Sequence, residues 1–192
     1  MKKIKFAIIG NPISHSLSPT MHNYWFDKYN IKAEYELLNT EESEIQNVIN
    51  KIKDKEIKGI NVTLPYKKTV IPFLSKIIND AKETHSVNTI ILDDHGNLIG
   101  ENTDVFGFQA AYLKSIPRQE KKSKKVLILG AGGVAPSIIY ALLKSNISDI
   151  SLTNRTHERS LFIKKNFNGI NIINWNDFSK YLYKFDIVIN AT

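Results

Sequence analysis

The amino-acid sequence predicts an α/β protein with two domains, and three observations lead to that prediction. Its 192 residues are enough for one large or two modest domains. Apolar runs of strand length alternate with helix-spaced apolar residues along the chain. After a polar stretch at residues 115–125 this alternation becomes regular, as in a parallel sheet with right-handed crossovers. We therefore divide the chain into a first domain at 1–103 and a second at 104–192.

The first domain mixes strands with helices. Ser18 followed by Pro19 predicts a helix start, with Ser18 as the N-cap residue. Alternation of Ala33, Tyr35 and Leu37 predicts a half-buried strand. The remaining pattern predicts strands at 4–9, 33–38, 58–63, 88–93 and 97–100, and a helix with apolar positions Ile45, Val48, Ile49 and Ile52.

The second domain begins with a helix at about 104–114, which leads into the polar loop at 115–125. The sequence then predicts four strands, at 126–129, 149–153, 170–173 and 186–190, and three helices between them, at 133–145, 156–166 and 176–182. In a doubly wound sheet the fourth strand lies next to the first, at the edge where the ligand binds. The complete doubly wound sheet has six strands, so four strands predict an incomplete one.

A glycine-rich motif follows the first strand of this second domain. The motif fits G-x-G-x-x-G/A and consists of Gly130, Ala131, Gly132, Gly133, Val134 and Ala135. Gly130 allows the tight turn, Gly132 lets the backbone approach a pyrophosphate, and Ala135 keeps the helix close to the sheet. The following helix N-terminus offers N–H groups and a positive dipole end to phosphates. These features predict a dinucleotide-binding (Rossmann) domain.

The end of the second strand indicates which dinucleotide binds. NAD sites usually carry Asp or Glu there, to bind the ribose 2′-hydroxyl. This chain has Asn154, Arg155 and Thr156, with Arg159 one helical turn further on. Guanidinium groups bind a 2′-phosphate in a bidentate manner, so the sequence favours NADP(H). The alternative is that both arginines are surface residues that pair with Glu158 or with solvent.

A second polar site is indicated at residues 61–67, where an apolar strand runs into a threonine, a proline and a lysine. Thr63 and Lys67 lie just beyond the strand end, on a turn that Pro65 stiffens. A lysine there can bind an anion, or exchange a proton if it is partly desolvated.

Composition excludes several classes of site. The chain has no cysteine, which excludes disulfides and thiolate chemistry and favours a reducing, cytoplasmic location. No apolar run is long enough to span a bilayer. The net charge of +7 comes from scattered lysines, which favours a solvated basic surface over a nucleic-acid-binding protein. The five histidines are dispersed, and no metal site is predicted.

Six motifs in order resemble the shikimate dehydrogenase family over the whole length of the chain. They are GNPISHSLSP at 10–19, NVTLPYK at 61–67, VNT at 87–89, NTD at 102–104, the glycine motif at 130–135 and NRT at 154–156. The resemblance implies an N-terminal α/β substrate domain followed by a Rossmann NADP-binding domain. It also implies that the Rossmann domain is incomplete here, because the last helices of the family are absent.

The resemblance implies NADPH-dependent, reversible reduction of 3-dehydroshikimate to shikimate, a step of chorismate and aromatic amino acid biosynthesis. Ser16 and Ser18 would bind the substrate carboxylate. Ring hydroxyls would be bound by Thr63, Lys67, Asn88 and Asp104, and the catalytic pair of the family falls on Lys67 and Asp104. A lysine ammonium suits this reaction, because hydride transfer to a ketone builds negative charge on oxygen.

Several alternatives remain open from the sequence. Lys67 and Asp104 could carry the proton or only position the substrate. The protein could be a quinate/shikimate dehydrogenase that uses NAD, or a shortened, non-catalytic module that binds NADP and shikimate. We expect a cytoplasmic monomer or homodimer with small-molecule ligands.

Overall fold

A computed structural model of the protein describes residues 3–192. The chain divides into two compact units, the first ending at Asn102 and the second running from Thr103 to Thr192. Within residues 3–192, no helix combines the length and the apolar character needed to cross a membrane.

The first unit is built on a six-stranded mixed sheet with the strand order β2-β1-β3-β5-β6-β4. Its strands are β1 (Ile4–Gly10), β2 (Ala33–Asn39), β3 (Gly59–Val62), β4 (Lys76–Ile77), β5 (Thr89–Leu92) and β6 (Leu98–Glu101). The strands β2 and β3 flank β1 in parallel, whereas β5 runs antiparallel to both β3 and β6. The strand β1 is therefore an interior strand next to β2, which forms one edge.

The α-helices described in this unit are α1 (Ser18–Lys28), α2 (Ile45–Lys53) and α3 (Asp80–Thr84). The predicted apolar face of α2 is confirmed, because all four of its apolar positions are buried in the main core of the unit. A smaller cluster, which includes Ile8, Ile13 and Tyr35, has Phe26 of α1 packed against it.

The prediction that Ser18 is the N-cap of α1 was wrong. Ser18 is the first helical residue, and Leu17 occupies the N-cap position without a side-chain cap. The Ser18 N–H donates instead to Ser16 Oγ at 3.3 Å. The earlier serine therefore provides the acceptor that a capping side chain would provide.

The second unit contains a four-stranded parallel sheet with the order β10-β7-β8-β9. Its elements are α4 (Asp104–Ala111), β7 (Lys125–Leu129), α5 (Ala135–Lys144), β8 (Asp149–Thr153), α6 (His157–Asn166), β9 (Asn171–Ile172) and β10 (Ile187–Asn190). The fourth strand, β10, pairs in parallel with the first, β7, as predicted. The core of this unit is separate and includes the fully buried Leu127 and Ile139.

Some local predictions differ from the structure. The predicted helix at 176–182 is a 3₁₀ segment, Phe178–Lys184, with no buried residue. Because this segment buries no apolar face, it lacks the tertiary packing that stabilises a regular α-helix. The elements β4 and α3 were not predicted, because two and five residues are too short to show a periodic pattern.

Candidate active site

Lys67 lies in the loop that follows β3, and its side chain is enclosed. The residue is only 8% exposed, whereas the adjacent Lys68 is exposed. The loop is held by the Tyr66 N–H, which donates to Thr63 O at 2.9 Å, and by the Val87 N–H, which donates to Lys67 O at 2.8 Å. Lysine is almost never this buried without a specific reason, so the enclosure supports a role for Lys67.

The Lys67 loop is attached to the segment that carries Asn88. Asn88 is 8% exposed and directly precedes β5. Its N–H donates to Glu101 O at 3.0 Å, and its carbonyl accepts the Val62 N–H at 2.8 Å. These bonds fix the backbone of Asn88 beside the end of β3, where the residues predicted from the NVTLPYK motif also lie.

Asn61 at the end of β3 is a polar residue that the sequence analysis did not assign to the site. Its Oδ1 accepts the Tyr35 hydroxyl at 2.6 Å. Its Nδ2 donates to Thr89 Oγ1 at 3.1 Å and to Asn88 O at 3.2 Å. An amide within a short strand that is otherwise apolar was the available signal for this residue.

Ser18 joins the same network through Tyr35. The Ser18 side chain lies near the Tyr35 phenol and lowers its pKa, which partly offsets the effect of burial. Burial itself raises the pKa of Tyr35 well above its ordinary value, so the phenol stays protonated. Tyr35 and Asn61 therefore link two predicted substrate residues, Ser18 and Asn88.

Thr63 and Ser16 lie on the loops next to this network. Both are partly buried. The Thr63 N–H donates to Ile9 O at 2.9 Å, which ties the start of the Lys67 loop to β1. A side chain at Gly10 would lie 2.7 Å from Thr63 Cγ2, so only glycine lets β1 and this loop approach so closely.

Asp104 belongs to the second unit, where it is the first residue of α4. A carboxylate at this position is stabilised by the positive end of the helix dipole. The next residue, Val105, is fully buried in the core of the second unit, which fixes the start of the helix.

The glycine motif forms the predicted turn between β7 and α5. Gly130 has a φ of +107°, and its N–H donates to Thr153 O at 2.8 Å. A Cβ at Gly130 would lie 2.7 Å from Ala191 O, whereas one at Gly132 would lie 3.6 Å from the same atom. Ala135 begins α5 and is fully buried. Gly130 is thus required by the fold, and Gly132 keeps the surface of the loop open.

The NRT segment lies beside this turn, beyond the end of β8. Asn154 Oδ1 accepts the Ala131 N–H at 3.1 Å, and Asn154 Nδ2 donates to Thr156 O at 2.8 Å. Arg155 and Arg159 are exposed. Asn154 therefore links the glycine turn to the segment that carries the two guanidinium groups, which could hold the 2′-phosphate of NADP.

Among residues 3–192 there is no group of three or more His, Asp or Glu side chains that could hold a metal ion.

Two family models match this chain. The shikimate dehydrogenase substrate-binding domain matches residues 8–90. The shikimate/quinate 5-dehydrogenase family matches residues 113–192. Together the two matches include five of the six motifs, and the NTD motif at 102–104 lies between the matched ranges.

Individual relatives agree with the family models. An NADP⁺ shikimate dehydrogenase of Pelagibacter ubique is 48% identical over 100% of this chain and 69% of its own length. Shikimate dehydrogenase from Aquifex aeolicus superimposes with a TM-score of 0.89 at 33% identity, covering 99% of this chain and 69% of that one. A Thermus thermophilus shikimate 5-dehydrogenase, solved in complex with NADP(H) and shikimate, has a TM-score of 0.84 at 29% identity, covering 98% and 68%.

Proposed function

Because this chain belongs to the shikimate dehydrogenase family, we propose that it catalyses the reversible, NADPH-dependent reduction of 3-dehydroshikimate to shikimate. The observation that best supports this proposal within the chain is the enclosed Lys67, held next to the Asn88 segment. A buried ammonium beside fixed amide and hydroxyl groups suits a substrate with a ketone and several hydroxyls.

In the proposed reaction the cofactor supplies a hydride to the carbonyl carbon, and a proton is added to the carbonyl oxygen. The Lys67 ammonium stabilises the charge that develops on this oxygen and donates the proton. Asp104 binds a ring hydroxyl of the substrate in this proposal.

We propose that the remaining polar groups of the first unit bind the substrate. Ser16 and Ser18 bind the carboxylate through their hydroxyls, while Thr63 and Asn88 bind ring hydroxyls. Support for this assignment comes from the hydrogen bonds that join Tyr35 to Asn61 and Asn61 to Asn88, and from the effect of the nearby Ser18 side chain on the Tyr35 phenol.

A kinetic comparison of two adjacent lysines tests the catalytic role. Lys67→Ala should lower kcat for 3-dehydroshikimate reduction by about 100-fold or more, the usual contribution of a positioned acid. Lys68→Ala is the matched control, because it removes the same charge from an exposed neighbour. Oxidation of NADPH is followed with each variant. Absence of turnover by the unmutated protein, or full turnover by Lys67→Ala, would contradict the proposal.

We propose that NADP(H) is bound by the glycine turn, residues 130–134, and by the NRT segment with Arg159. Arg155→Ala should raise KM for NADPH by about tenfold or more and leave KM for NADH unchanged, since only NADPH carries the 2′-phosphate. Arg118→Ala provides the control, because Arg118 is the remaining arginine of the sequence besides Arg155 and Arg159 and is also exposed. Equal effects on both cofactors would argue against selection by the 2′-phosphate.

The proposal also includes a cytoplasmic location and a monomeric or homodimeric state. Size-exclusion chromatography with light scattering would give the mass in solution, and a tetramer would contradict this part of the proposal.

A further inference from the structure

Tyr35 is held at three points within the first unit. Its backbone N–H and carbonyl bond the Asn23 side chain at 2.9 and 3.0 Å. Its ring stacks on His22 with centroids 4.2 Å apart and planes 8° from parallel. Its hydroxyl reaches Asn61 Oδ1 at 2.6 Å, and the residue is only 5% exposed. A phenol held in this way has a single orientation toward Asn61.

The hydrogen bonds from Tyr35 onward have a defined direction. The phenol stays protonated and donates to Asn61 Oδ1, so the Asn61 amino group points to Thr89 Oγ1 at 3.1 Å. Thr89 accepts that bond, and its own hydroxyl donates to Asn88 Oδ1 at 3.0 Å. Each group in this chain therefore determines whether the next one donates or accepts.

The donor-to-acceptor direction of this series of hydrogen bonds determines how the Asn88 carboxamide is oriented. Its carboxamide oxygen is turned toward Thr89, which puts its amino group on the opposite side of the carboxamide. An amino group is a hydrogen-bond donor only, so Asn88 meets a substrate oxygen as a donor. Asn61 Nδ2 also donates to Asn88 O at 3.2 Å, so the Asn61 carboxamide is held from both ends. Loss of the Tyr35 bond removes one of these two restraints and loosens the orientation of Asn61 and, through Thr89, that of Asn88.

We propose that Tyr35 is a positioning residue for the substrate: through Asn61 and Thr89 it sets which side of the Asn88 carboxamide faces the bound shikimate. The ligand part of this inference rests on the proposed function. The orientation of the two asparagines does not, and it can be measured without any ligand.

The first experiment observes the side-chain amides directly. In ¹⁵N–¹H NMR spectra, the side-chain amide signals of Asn61 and Asn88 are identified by their loss in Asn61→Ala and Asn88→Ala. Tyr35→Phe keeps the ring and its stacking but removes the hydroxyl, and should shift or broaden both signals. The control is Thr84→Val, which removes another buried hydroxyl of the same unit, bonded to Asp80 O at 2.8 Å. Unchanged Asn61 and Asn88 signals in Tyr35→Phe would overturn the proposal.

The second experiment measures shikimate binding by calorimetry. Tyr35→Phe should raise Kd by about three- to tenfold, as expected for one hydrogen bond that orients a ligand group. Thr84→Val should leave Kd unchanged even if both variants lose similar thermal stability. Equal weakening by both variants would show a general loss of structure and would overturn the positioning role.

A double-mutant cycle tests whether Tyr35 acts through Asn88. In the Asn88→Ala background, Tyr35→Phe should have little further effect on Kd, because the group it positions is already absent. A full additional loss in this background would show that Tyr35 acts by another route, such as Ser18, and would overturn the proposal. If the unmutated protein binds no shikimate while the NMR signals respond to Tyr35→Phe, the orientation holds and the proposed function fails.

Discussion

Gly130 and Gly132 are two residues apart in the glycine turn, yet we predict that alanine at Gly130 lowers stability and that alanine at Gly132 weakens cofactor binding. Gly130→Ala places a Cβ at a φ of +107° and 2.7 Å from Ala191 O, so it should lower the free energy of unfolding by about 1–3 kcal/mol. Gly132→Ala meets only an ordinary contact at 3.6 Å, so stability should change by less than about 0.5 kcal/mol. Its methyl group should nevertheless weaken NADP⁺ binding. Denaturation and calorimetry measure the two effects, and equal loss of stability would contradict this distinction.

His22 provides a prediction about pH. Burial lowers the pKa of His22 below its ordinary value of 6.5, so the unfolded chain takes up this proton more readily than the folded one. The stabilising contribution of neutral His22 is therefore present above pH 6.5 and is lost as the pH falls below it. His22→Phe keeps an aromatic ring on Tyr35 but cannot titrate. Denaturation on both sides of pH 6.5 should show a smaller loss of stability on acidification in this variant, and an identical loss would exclude His22 as a source.

The residues of the two candidate sites differ in how well the sequence predicted them. The glycine turn depends on local geometry, so Gly130 and Ala135 were assigned the structural roles that the structure shows. Tyr35 and Asn61 were missed as site residues because their link crosses from β2 to β3, 26 positions along the chain. Sequence spacing within one element carries no information about such a contact.

At the level of elements, α4 contains a glycine at which alanine is expected to stabilise the protein. Gly107 lies inside this helix, and a Cβ there meets nothing within 4 Å. Gly107→Ala should raise the free energy of unfolding by about 0.5–1 kcal/mol, since it restricts the unfolded chain without a clash. Gly96→Ala is the contrast, because it also has open space but a φ of +80°, and it should destabilise the protein. Chemical denaturation measures both, and a destabilising Gly107→Ala would show that this glycine has another role.

The sequence predicted those elements whose buried apolar residues form a recognisable pattern, and it missed elements without such a pattern. The helix α2 buries apolar residues at helical spacing, and the strands β7 and β8 bury consecutive residues in short, largely apolar runs. Both patterns are visible in the sequence. The short β4 is defined only by its pairing with β6, a distant segment. Such an element exists because of tertiary contacts and has no local signal of its own.

At the level of the whole molecule, the two units have separate hydrophobic cores. Ile139 is fully buried in the core of the second unit. Ile139→Ala should cost about 2–5 kcal/mol through lost contacts and the cavity that remains. Hydrogen exchange should show faster exchange in β7 and β8 with little change in β1 and β3. Uniformly faster exchange in both sheets would instead indicate that the two units unfold together.

The hydrogen bonds of Asn23 also cover part of an exposed sheet edge. Tyr35 lies on β2, an edge strand of the sheet, where exposed N–H and carbonyl groups can accept a strand from another molecule. The Asn23 carboxamide occupies both backbone groups of Tyr35, as a neighbouring strand would. An incoming strand would have to displace this side chain before it could pair there. We therefore expect the hydrogen bonds between Asn23 and Tyr35 to hinder β-sheet pairing between molecules at this edge.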